Sequence, residues 1–194
     1  MTWMACYGDK KPMPRVSTNF TVEEVEYSET AIRLEIPNKA PEWVLENARL
    51  TATYLMEPIR DWKGIPFRPN SWFRCEELEK AITWEKGFRR WCAKRALPWI
   101  TRAQLYKNLA VQTSWDKYFE RKQHPTGKAV DHEIATVDND ELFFWIRDNL
   151  EYDQLIREFP KPGIPQSGWV HVSYDKDGNR GQAFSVPSYD RYVS

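Results

Sequence analysis

The segment GWVHVSY, residues 168–174, constrains the fold more than any other, because its side chains alternate in character. One set of alternate residues is Val170, Val172 and Tyr174, and the other is Trp169, His171 and Ser173. Successive side chains of a β-strand point to opposite faces of its sheet. The alternation therefore predicts a strand with one apolar face and one face that carries a histidine.

Three other segments are predicted strands. The sequence KDGN, residues 176–179, is typical of a β-hairpin turn, so GQAFSV at 181–186 is expected to be the strand that returns after 168–174. YDQLIREF at 152–159 contains Leu, Ile and Phe residues that favour a strand. IPFRPNSWF at 65–73 is predicted to form a short strand that its two prolines interrupt.

Helices are predicted in the remaining periodic segments. Between residues 41 and 62, apolar side chains recur at spacings of three and four, which predicts a helix with one apolar face. That face consists of Val44, Ala48, Ala52, Leu55 and Ile59. Pro58 is expected to kink or end this helix near its close. A polar helix opens at Arg74, and another spans 138–150 with an Asp or Asn at its start as the N-cap.

Together these elements predict an α+β fold, in which a small, mostly antiparallel sheet is flanked by helices in a single domain over residues 1–194. Residues 1–18 are rich in Pro and Lys and are expected to form an extended arm. The segment 84–122 is predicted to be a helical insertion that includes a helix capped by Thr101. This insertion carries four tryptophans, and ten Lys or Arg against three acids.

The sequence supports three interpretations of the insertion 84–122. It packs its tryptophans on the core as a helical cap, it forms one wall of a substrate cleft, or its positive charge attracts an anionic cell envelope. Basic residues with aromatic neighbours also suit single-stranded nucleic acid. No nucleic-acid-binding motif accompanies them, so no nucleic-acid partner is expected.

The bulk composition argues against several classes of protein. The formal net charge is zero, which disfavours a general polyanion binder. Three cysteines without C-x-x-C spacing predict reduced thiols in a protein made in the cytosol. Neither a secretory signal nor an apolar run of the roughly 18 residues that span a membrane is predicted. A target outside the membrane would then be reached by export, by lysis or on a virion.

The segment KQHPTGKAVDHE, residues 122–133, contains two of the three histidines of the chain. His124 and Asp131 are seven residues apart, and Gly127 between them allows a tight bend. With His171 from the predicted strand, they make a plausible set of three zinc ligands, which leaves the fourth position open as in catalytic sites. The spacing by itself is more often that of solvated loop residues.

The order of several motifs strengthens the metal hypothesis. HPTGKAVD at 124–131, followed by WVHVS at 169–173, resembles the D-alanyl-D-alanine carboxypeptidase family of zinc peptidases, whose members include carboxypeptidases, dipeptidases and phage endolysins. The similarity is greatest to the small phage and bacterial peptidases, and it covers roughly residues 19–183 apart from 84–122. Further motifs that match in order are SETAIRLEIPN (28–38), EPIR (57–60), DQLI (153–156) and NRGQ (179–182).

The resemblance implies a hedgehog- or DD-peptidase-like fold and a specific chemistry. His124, Asp131 and His171 would be the zinc ligands, and water activated at the zinc would hydrolyse an amide bond in a peptidoglycan stem peptide. A phage endolysin or a cell-wall carboxypeptidase would perform this reaction. The sequence carries no signal for an oligomeric state.

Arg74 is the first residue with a catalytic role implied by the resemblance. It follows SWF at 71–73, which is similar to a strand end in the family, and it would polarise the scissile carbonyl or hold the substrate. The residues alone also allow a surface ion pair between Arg74 and Glu76 or Glu77.

Glu158 is the predicted general base. Many members of the family carry an acid three residues before the last histidine, where this chain has Gly168. If the strand that holds Glu158 pairs beside 168–174, alternation would direct this carboxylate toward the metal. Glu133 and Asp153 are the other candidates, and Glu158 could instead be an ordinary edge-strand acid.

A second departure bears on substrate selection, and a third is the insertion 84–122, which stands where members of the family have a short loop. Lys122 stands where the family usually has serine, so substrate selection is expected to differ. His132, next to Asp131, is expected to face solvent or to support the metal ligands. The alternative to a wall peptidase is a non-catalytic structural or wall-binding module that keeps the fold, which Gly168 and Lys122 favour. The third hypothesis is a peptidase whose substrate is not a component of the cell wall.

Overall fold

The computed structural model describes residues 14–99 and 109–187. Within these ranges, four strands form one open, mixed sheet in the order β1-β3-β2-β4. The strands are β1 (Ala129–His132), β2 (Gln154–Glu158), β3 (Trp169–Ser173) and β4 (Gln182–Val186). β3 is antiparallel to both β1 and β2, whereas β2 and β4 are parallel. The predicted α+β class is confirmed at this coarse level.

Eight α-helices accompany the sheet in the described residues. They are α1 (Val22–Glu26), α2 (Glu29–Arg33), α3 (Glu42–Thr51), α4 (Glu57–Lys63), α5 (Glu76–Thr83), α6 (Arg89–Ala93), α7 (Leu109–Phe119) and α8 (Asn139–Asn149). π-helical turns at Ala52–Met56 and Trp84–Phe88 join α3 to α4 and α5 to α6. Asp138 caps α8 as predicted, because its side chain accepts a hydrogen bond from the backbone of Asp140.

The helix predicted over 41–62 is present from Glu42 to Lys63, but its winding changes before Pro58. Proline has no N–H for the helical ladder and crowds the preceding turn. The chain widens there into the π-turn, in which the N–H of Glu57 bonds the carbonyl of Ala52, and then continues as α4. Gly64 ends the helix in the left-handed conformation, at φ 64°.

The main hydrophobic core lies between this long helix, α8 and the sheet. The five residues of the predicted apolar face, Val44, Ala48, Ala52, Leu55 and Ile59, are all fully buried. They share one cluster with Phe20, Trp72, Val130, Leu142, Leu155 and Val170. The helix therefore packs by the stripe that its sequence periodicity predicted.

The segment 84–122 forms an aromatic core of its own. Its buried residues are Trp84, Phe88, Cys92, Val111, Trp115 and Tyr118, and none of them belongs to the main core. The interpretation in which its tryptophans pack on the main core is therefore wrong for the described residues. The helical character of the segment is confirmed by α6 and α7, while the predicted cap at Thr101 lies outside the described residues.

The N-terminal segment is described only in part. Residues 1–13 of the predicted arm lie outside the described residues. Arg15 pairs with Thr21 in an isolated β-bridge, and the N–H of Val16 bonds the carbonyl of Phe20. The chain between residues 15 and 21 is therefore a tight turn rather than an extended arm.

The predicted hairpin between 168–174 and 181–186 is wrong. β3 is already paired on both edges, with β1 on one side and β2 on the other. No edge of β3 is left for the returning strand, so the chain crosses the end of β2 and β4 pairs in parallel with its outer edge. The turn sequence at 176–179 predicts only that the chain reverses direction. Which strand β4 pairs with depends on the strand edges that the rest of the sheet leaves open.

The strand predicted at 65–73 is reduced to a single bridge. Ser71 exchanges backbone hydrogen bonds with Asp131, and the rest of the segment is irregular. Pro66 and Pro69 cannot donate to a ladder, which explains why no strand extends along β1. β1 itself was not predicted, because its four residues are all buried and show no alternation of polar and apolar side chains.

Truncation of Leu55 tests the main core. Leu55→Ala removes a fully buried side chain, and we expect it to lower the free energy of unfolding by about 2–5 kcal/mol. Leu34→Ala makes the same chemical change at a position that is 46% exposed and should cost far less. Urea unfolding of both variants beside the wild type measures the difference. Equal losses would contradict the described packing of the long helix.

Candidate metal centre

His124, Asp131 and His171 are brought together by three elements of the fold. Asp131 lies on β1 directly opposite His171 on β3. The backbone N–H and C=O of Asp131 bond Ser71, on the edge away from β3. Asp131 and His171 therefore form a non-hydrogen-bonded antiparallel pair, in which Cα atoms are about 4.5 Å apart rather than about 5.5 Å and the side chains are closest.

His124 enters the site from the 3₁₀ turn His124–Thr126 that precedes β1. Gly127 ends this turn with a φ of 74°, a backbone conformation that disfavours residues with a side chain. A Cβ atom at Gly127 would also lie 2.6 Å from the backbone oxygen of Val44. The glycine between the two predicted ligands is thus required both by the turn and by its close approach to α3.

The three side chains form a compact, buried set of possible ligands. His124 Nε2 lies 3.2 Å from Asp131 Oδ2, and His171 Nδ1 lies 2.8 Å from Asp131 Oδ1. Potential ligand atoms of all three lie within 4.8 Å of one another, and each residue is 5–7% exposed. In a tetrahedral zinc site with bonds of about 2.1 Å, ligand atoms are about 3.4 Å apart. The set could therefore hold a metal ion.

Hydrogen bonds around the two imidazoles select which nitrogen faces the site. His124 Nδ1 donates to the carbonyl of Trp72 over 2.7 Å, so its Nε2 carries the lone pair toward Asp131. His171 Nε2 lies 3.3 Å from Gln123 Oε1, which leaves Nδ1 directed at Asp131. Partners of this kind orient the ligands of metal sites in proteins.

Gln123 is itself fixed by a chain of polar contacts. Its amide nitrogen donates to Asp153, and the buried Asp153 receives two hydrogen bonds of 2.6 Å from the guanidinium of Arg180. The hydrogen bond from Arg180 holds the pKa of Asp153 below its usual value. Asp153 is therefore a charged structural group, and this environment does not suit the proton acceptor for which it was a candidate.

The charges of the site keep Asp131 and His124 in ligating form. Burial raises the pKa of Asp131, but its close contacts with His124, Arg74 and His171 hold it well below its usual value. Burial and the charge of Arg74 lower the pKa of His124, against the opposing effect of Asp131. A carboxylate and a neutral imidazole are the forms that bind metal ions.

Arg74 lies at the edge of this cluster, just before α5. Its guanidinium donates to Asp131, its Nε donates to Ser71 Oγ over 2.8 Å, and Nη1 lies 3.8 Å from Glu79 Oε2. Its ion-pair partners are thus Asp131 and Glu79, rather than the Glu76 or Glu77 that the sequence also allowed. The structure places Arg74 beside the three candidate ligands.

Glu79 is a site residue that the sequence analysis missed. It is 1% exposed, and its carboxylate lies between Arg74 and the ammonium of Lys122, which is 3.4 Å away. The helix α5 begins with three glutamates of similar sequence context, Glu76, Glu77 and Glu79. Only the tertiary packing distinguishes the buried one, so no local signal could have identified it.

Glu158 lies on the same face of the sheet as His171. β2 pairs with β3, which meets the condition for directing Glu158 to this face: Ile156 lies opposite His171, and Glu158 lies opposite Trp169, two pairs further along. Burial, followed by the charge of Asp131, raises the pKa of Glu158 to about 7. A carboxyl group with such a pKa can exchange protons near neutral pH.

Gly168 stands where the resembling family has an acid, and the backbone around it leaves no room for a side chain. Its φ is 62°, and a Cβ atom there would lie 1.8 Å from the carbonyl oxygen of Glu158. No side chain fits at this position in the present backbone.

Glu133, another candidate for the general base, also lines the cleft. Its carboxylate accepts hydrogen bonds from Asn70 and Asn139.

His132 is buried and hydrogen-bonds none of the candidate ligands, so it neither faces solvent nor supports those ligands as predicted. It stacks on Phe67 with the ring centroids 5.6 Å apart, on the opposite side of β1 from Asp131. Neither ring nitrogen has a hydrogen-bond partner among the described residues. Burial lowers the pKa of His132 to about 4, so it is a neutral core residue at pH 7.

The candidate ligands open into a cleft of about 930 Å³. Arg74, Lys122, His124, Asp131 and Glu158 all line it. This volume lies within the range of about 300–1,000 Å³ that is usual for ligand sites. The cleft therefore combines a possible metal site with a cation and a titratable carboxylate.

No protein-family model, curated protein or solved structure matches this chain. The resemblance to zinc peptidases thus stays a prediction from the motifs. Within residues 14–99 and 109–187, no helix is long and apolar enough to cross a lipid bilayer.

Substitution of Gly127 tests the turn that delivers His124. Gly127→Ala and Gly163→Ala both place a side chain at a φ of 74°, but the space around Gly163 is open, whereas Gly127 abuts Val44. We expect Gly163→Ala to cost about 1–2 kcal/mol of stability and Gly127→Ala to cost clearly more. Urea unfolding measures both, and equal losses would refute the close approach.

The raised pKa of Glu158 predicts a pH-dependent stability in protein treated with a chelator. Between pH about 4.5 and about 7, the folded state keeps a proton that the unfolded chain has released. The stabilising effect of this proton is therefore lost as pH rises through that window. Glu158→Gln should be more stable relative to the wild type at pH 8 than at pH 5. The exposed Glu151→Gln is the control, and a pH-independent difference for Glu158→Gln would contradict the prediction.

Proposed function

We propose that the chain is a zinc-dependent peptidase that hydrolyses an amide bond in peptidoglycan stem peptides, with a hedgehog- or DD-peptidase-like arrangement of its site. The observation that carries the proposal is the buried triad of His124, Asp131 and His171, which opens into a cleft shared with Arg74 and Glu158. The ordered motifs of the sequence supply the class of substrate. A phage endolysin or a cell-wall carboxypeptidase fits this description.

The donor set supports zinc as the metal. Two imidazoles and one carboxylate are a donor set that occurs in catalytic zinc sites, and three protein ligands leave one position for water or substrate. When bound, the zinc ion would polarise the scissile carbonyl and lower the pKa of water to about 7. The carbonyl of Trp72 and the amide of Gln123 would keep the two imidazoles in their ligating orientations.

Glu158 is the proposed proton carrier. Its carboxylate oxygen takes a proton from the attacking water and delivers it to the nitrogen of the leaving amine. In the metal-free protein, burial raises the pKa of Glu158 to about 7, so this carboxyl can both accept and release a proton near neutral pH. The clash at Gly168 supports the assignment, since the neighbouring strand cannot supply this carboxylate.

Arg74 is the proposed electrostatic partner of the substrate. Its guanidinium has five N–H donors, so it can hold Asp131 and Ser71 and still donate to the carbonyl oxygen as negative charge develops there. The buried Glu79 restrains the same guanidinium from the other side. This restraint reduces the reorganisation that the reaction requires.

Metal content and lytic activity of the same samples test the proposal. Wild-type protein should hold about one zinc per chain by mass spectrometry and should clear a peptidoglycan suspension. His171→Ala should lose both properties. Glu158→Gln should keep the zinc and lose about 10²–10⁴-fold in rate. Glu151→Gln, an exposed acid next to β2, should match the wild type.

Each other outcome has a distinct meaning. Zinc without clearing by the wild type would favour the non-catalytic wall-binding module. Absence of zinc in the wild type, even after zinc is added back, would refute the metal site. Undiminished clearing by Glu158→Gln would move the proton-carrier role to Glu133. Cleavage of unrelated peptides but not of peptidoglycan would retain the peptidase and refute its substrate.

A further inference from the structure

The cleft continues past Glu158 into a second cavity of about 280 Å³. We call it the insertion chamber, because the helices around 82–90 and residues 118 and 122 form one wall, while β2 and β4 form the other. Lys122, Glu158, Ile82, Thr83 and Phe159 line both cavities. The volume of the insertion chamber lies just below the range of about 300–1,000 Å³ that is usual for complete ligand sites. It therefore suits one part of a ligand whose remainder lies in the cleft.

Apolar side chains form part of the lining of the insertion chamber. Ile82 from α5 and Phe184 from β4 are 38% and 41% exposed, and both belong to its walls. Ile156 and Val186 line the chamber as well. Apolar surface left open inside a cavity gains stability when an apolar portion of a ligand covers it.

The charged groups of the insertion chamber are mostly cations. Lys86, Arg90 and Lys122 line it against a single acid, Glu158. Lys86 and Arg90 are four residues apart across the junction of the π-turn and α6, so they occupy neighbouring positions along the helix. All three of these cations belong to the segment that carries ten Lys or Arg against three acids. The chamber therefore favours a ligand with negative charge.

We infer that the insertion chamber is a specificity subsite that takes a carboxylate-bearing residue of the peptide substrate beside the scissile bond. The inference rests on the proposed peptidase function, because the substrate must lie in the cleft for its neighbouring residue to enter the chamber. Lys86 and Arg90 attract the carboxylate, and Ile82 and Phe184 contact the aliphatic part of the same residue. In a stem peptide, the α-carboxyl of D-glutamate has this chemistry.

Two synthetic stem peptides test the subsite. One carries the free α-carboxyl of D-glutamate, and the other has the same sequence with that carboxyl amidated. Zinc-loaded full-length protein is assayed for hydrolysis of each, and binding of each is measured by calorimetry on the same preparation. We expect the wild type to prefer the acid at least about tenfold, the size of one charge-assisted hydrogen bond.

The double variant Lys86→Gln with Arg90→Gln should lose this preference, so that the ratio between the two peptides falls to about one. Lys94→Gln with Lys117→Gln removes the same charge from exposed positions of the insertion that do not line the chamber, and should keep the preference. If the first double variant does not fold, Lys86→Gln alone provides the same comparison with a smaller expected change.

The combined results of the binding and hydrolysis measurements distinguish a failure of the subsite from a failure of the proposed peptidase function. Hydrolysis of both peptides without preference, or a preference that the first double variant keeps, would overturn the subsite and leave the peptidase intact. Tighter binding of the acid that the first double variant abolishes, without hydrolysis of either peptide, would support the subsite while the peptidase fails. Absence of both binding and hydrolysis would overturn both.

Discussion

The buried charge of Asp131 is the constraint on which the rest of the site depends. A carboxylate removed from water costs several kcal/mol unless it is paired and hydrogen-bonded. Here, two imidazoles and the guanidinium of Arg74 surround it. Its backbone is fixed as well, because Ser71 bonds its N–H and C=O while β3 lies along the other edge of its strand. A carboxylate that stays ionised under these conditions is also prepared to bind a cation.

The register of the sheet extends this constraint to the chemistry of the cleft. Asp131 lies opposite His171, and His171 lies opposite Ile156, so the second pair further along β2 and β3 places Glu158 on the same face. A shift of one residue in either pairing would turn these side chains to the opposite face. One sheet register therefore sets the positions of two candidate ligands and the proposed proton carrier together.

Sequence reasoning succeeded where a local pattern and its tertiary surroundings agree. The alternation in 168–174 predicted the strand that presents His171, and the spacing around Gly127 predicted a turn between the other two candidate ligands. The periodicity of 41–62 predicted the buried stripe of the long helix. In each case the local residues allow few other secondary structures, and the tertiary packing is compatible with the one that they favour.

Sequence reasoning failed where the structure of a segment depends on partners that are distant in sequence. The turn at 176–179 indicated a hairpin, but both edges of β3 are occupied. β1 is buried on both faces, so its sequence lacks the alternation that marks a half-exposed strand. Glu79 and His132 are buried because they pack against elements that are distant in sequence. The residues next to them in the chain give no indication of this burial.

The separate aromatic core of the segment 84–122 has a consequence for access to the cleft. A unit with its own core can open at a lower free energy than the whole protein. Lys122 belongs to this segment and lines the cleft, so such an opening would displace part of the cleft wall. Backbone amides of α6 and α7 would then exchange with deuterated solvent faster than those of β3.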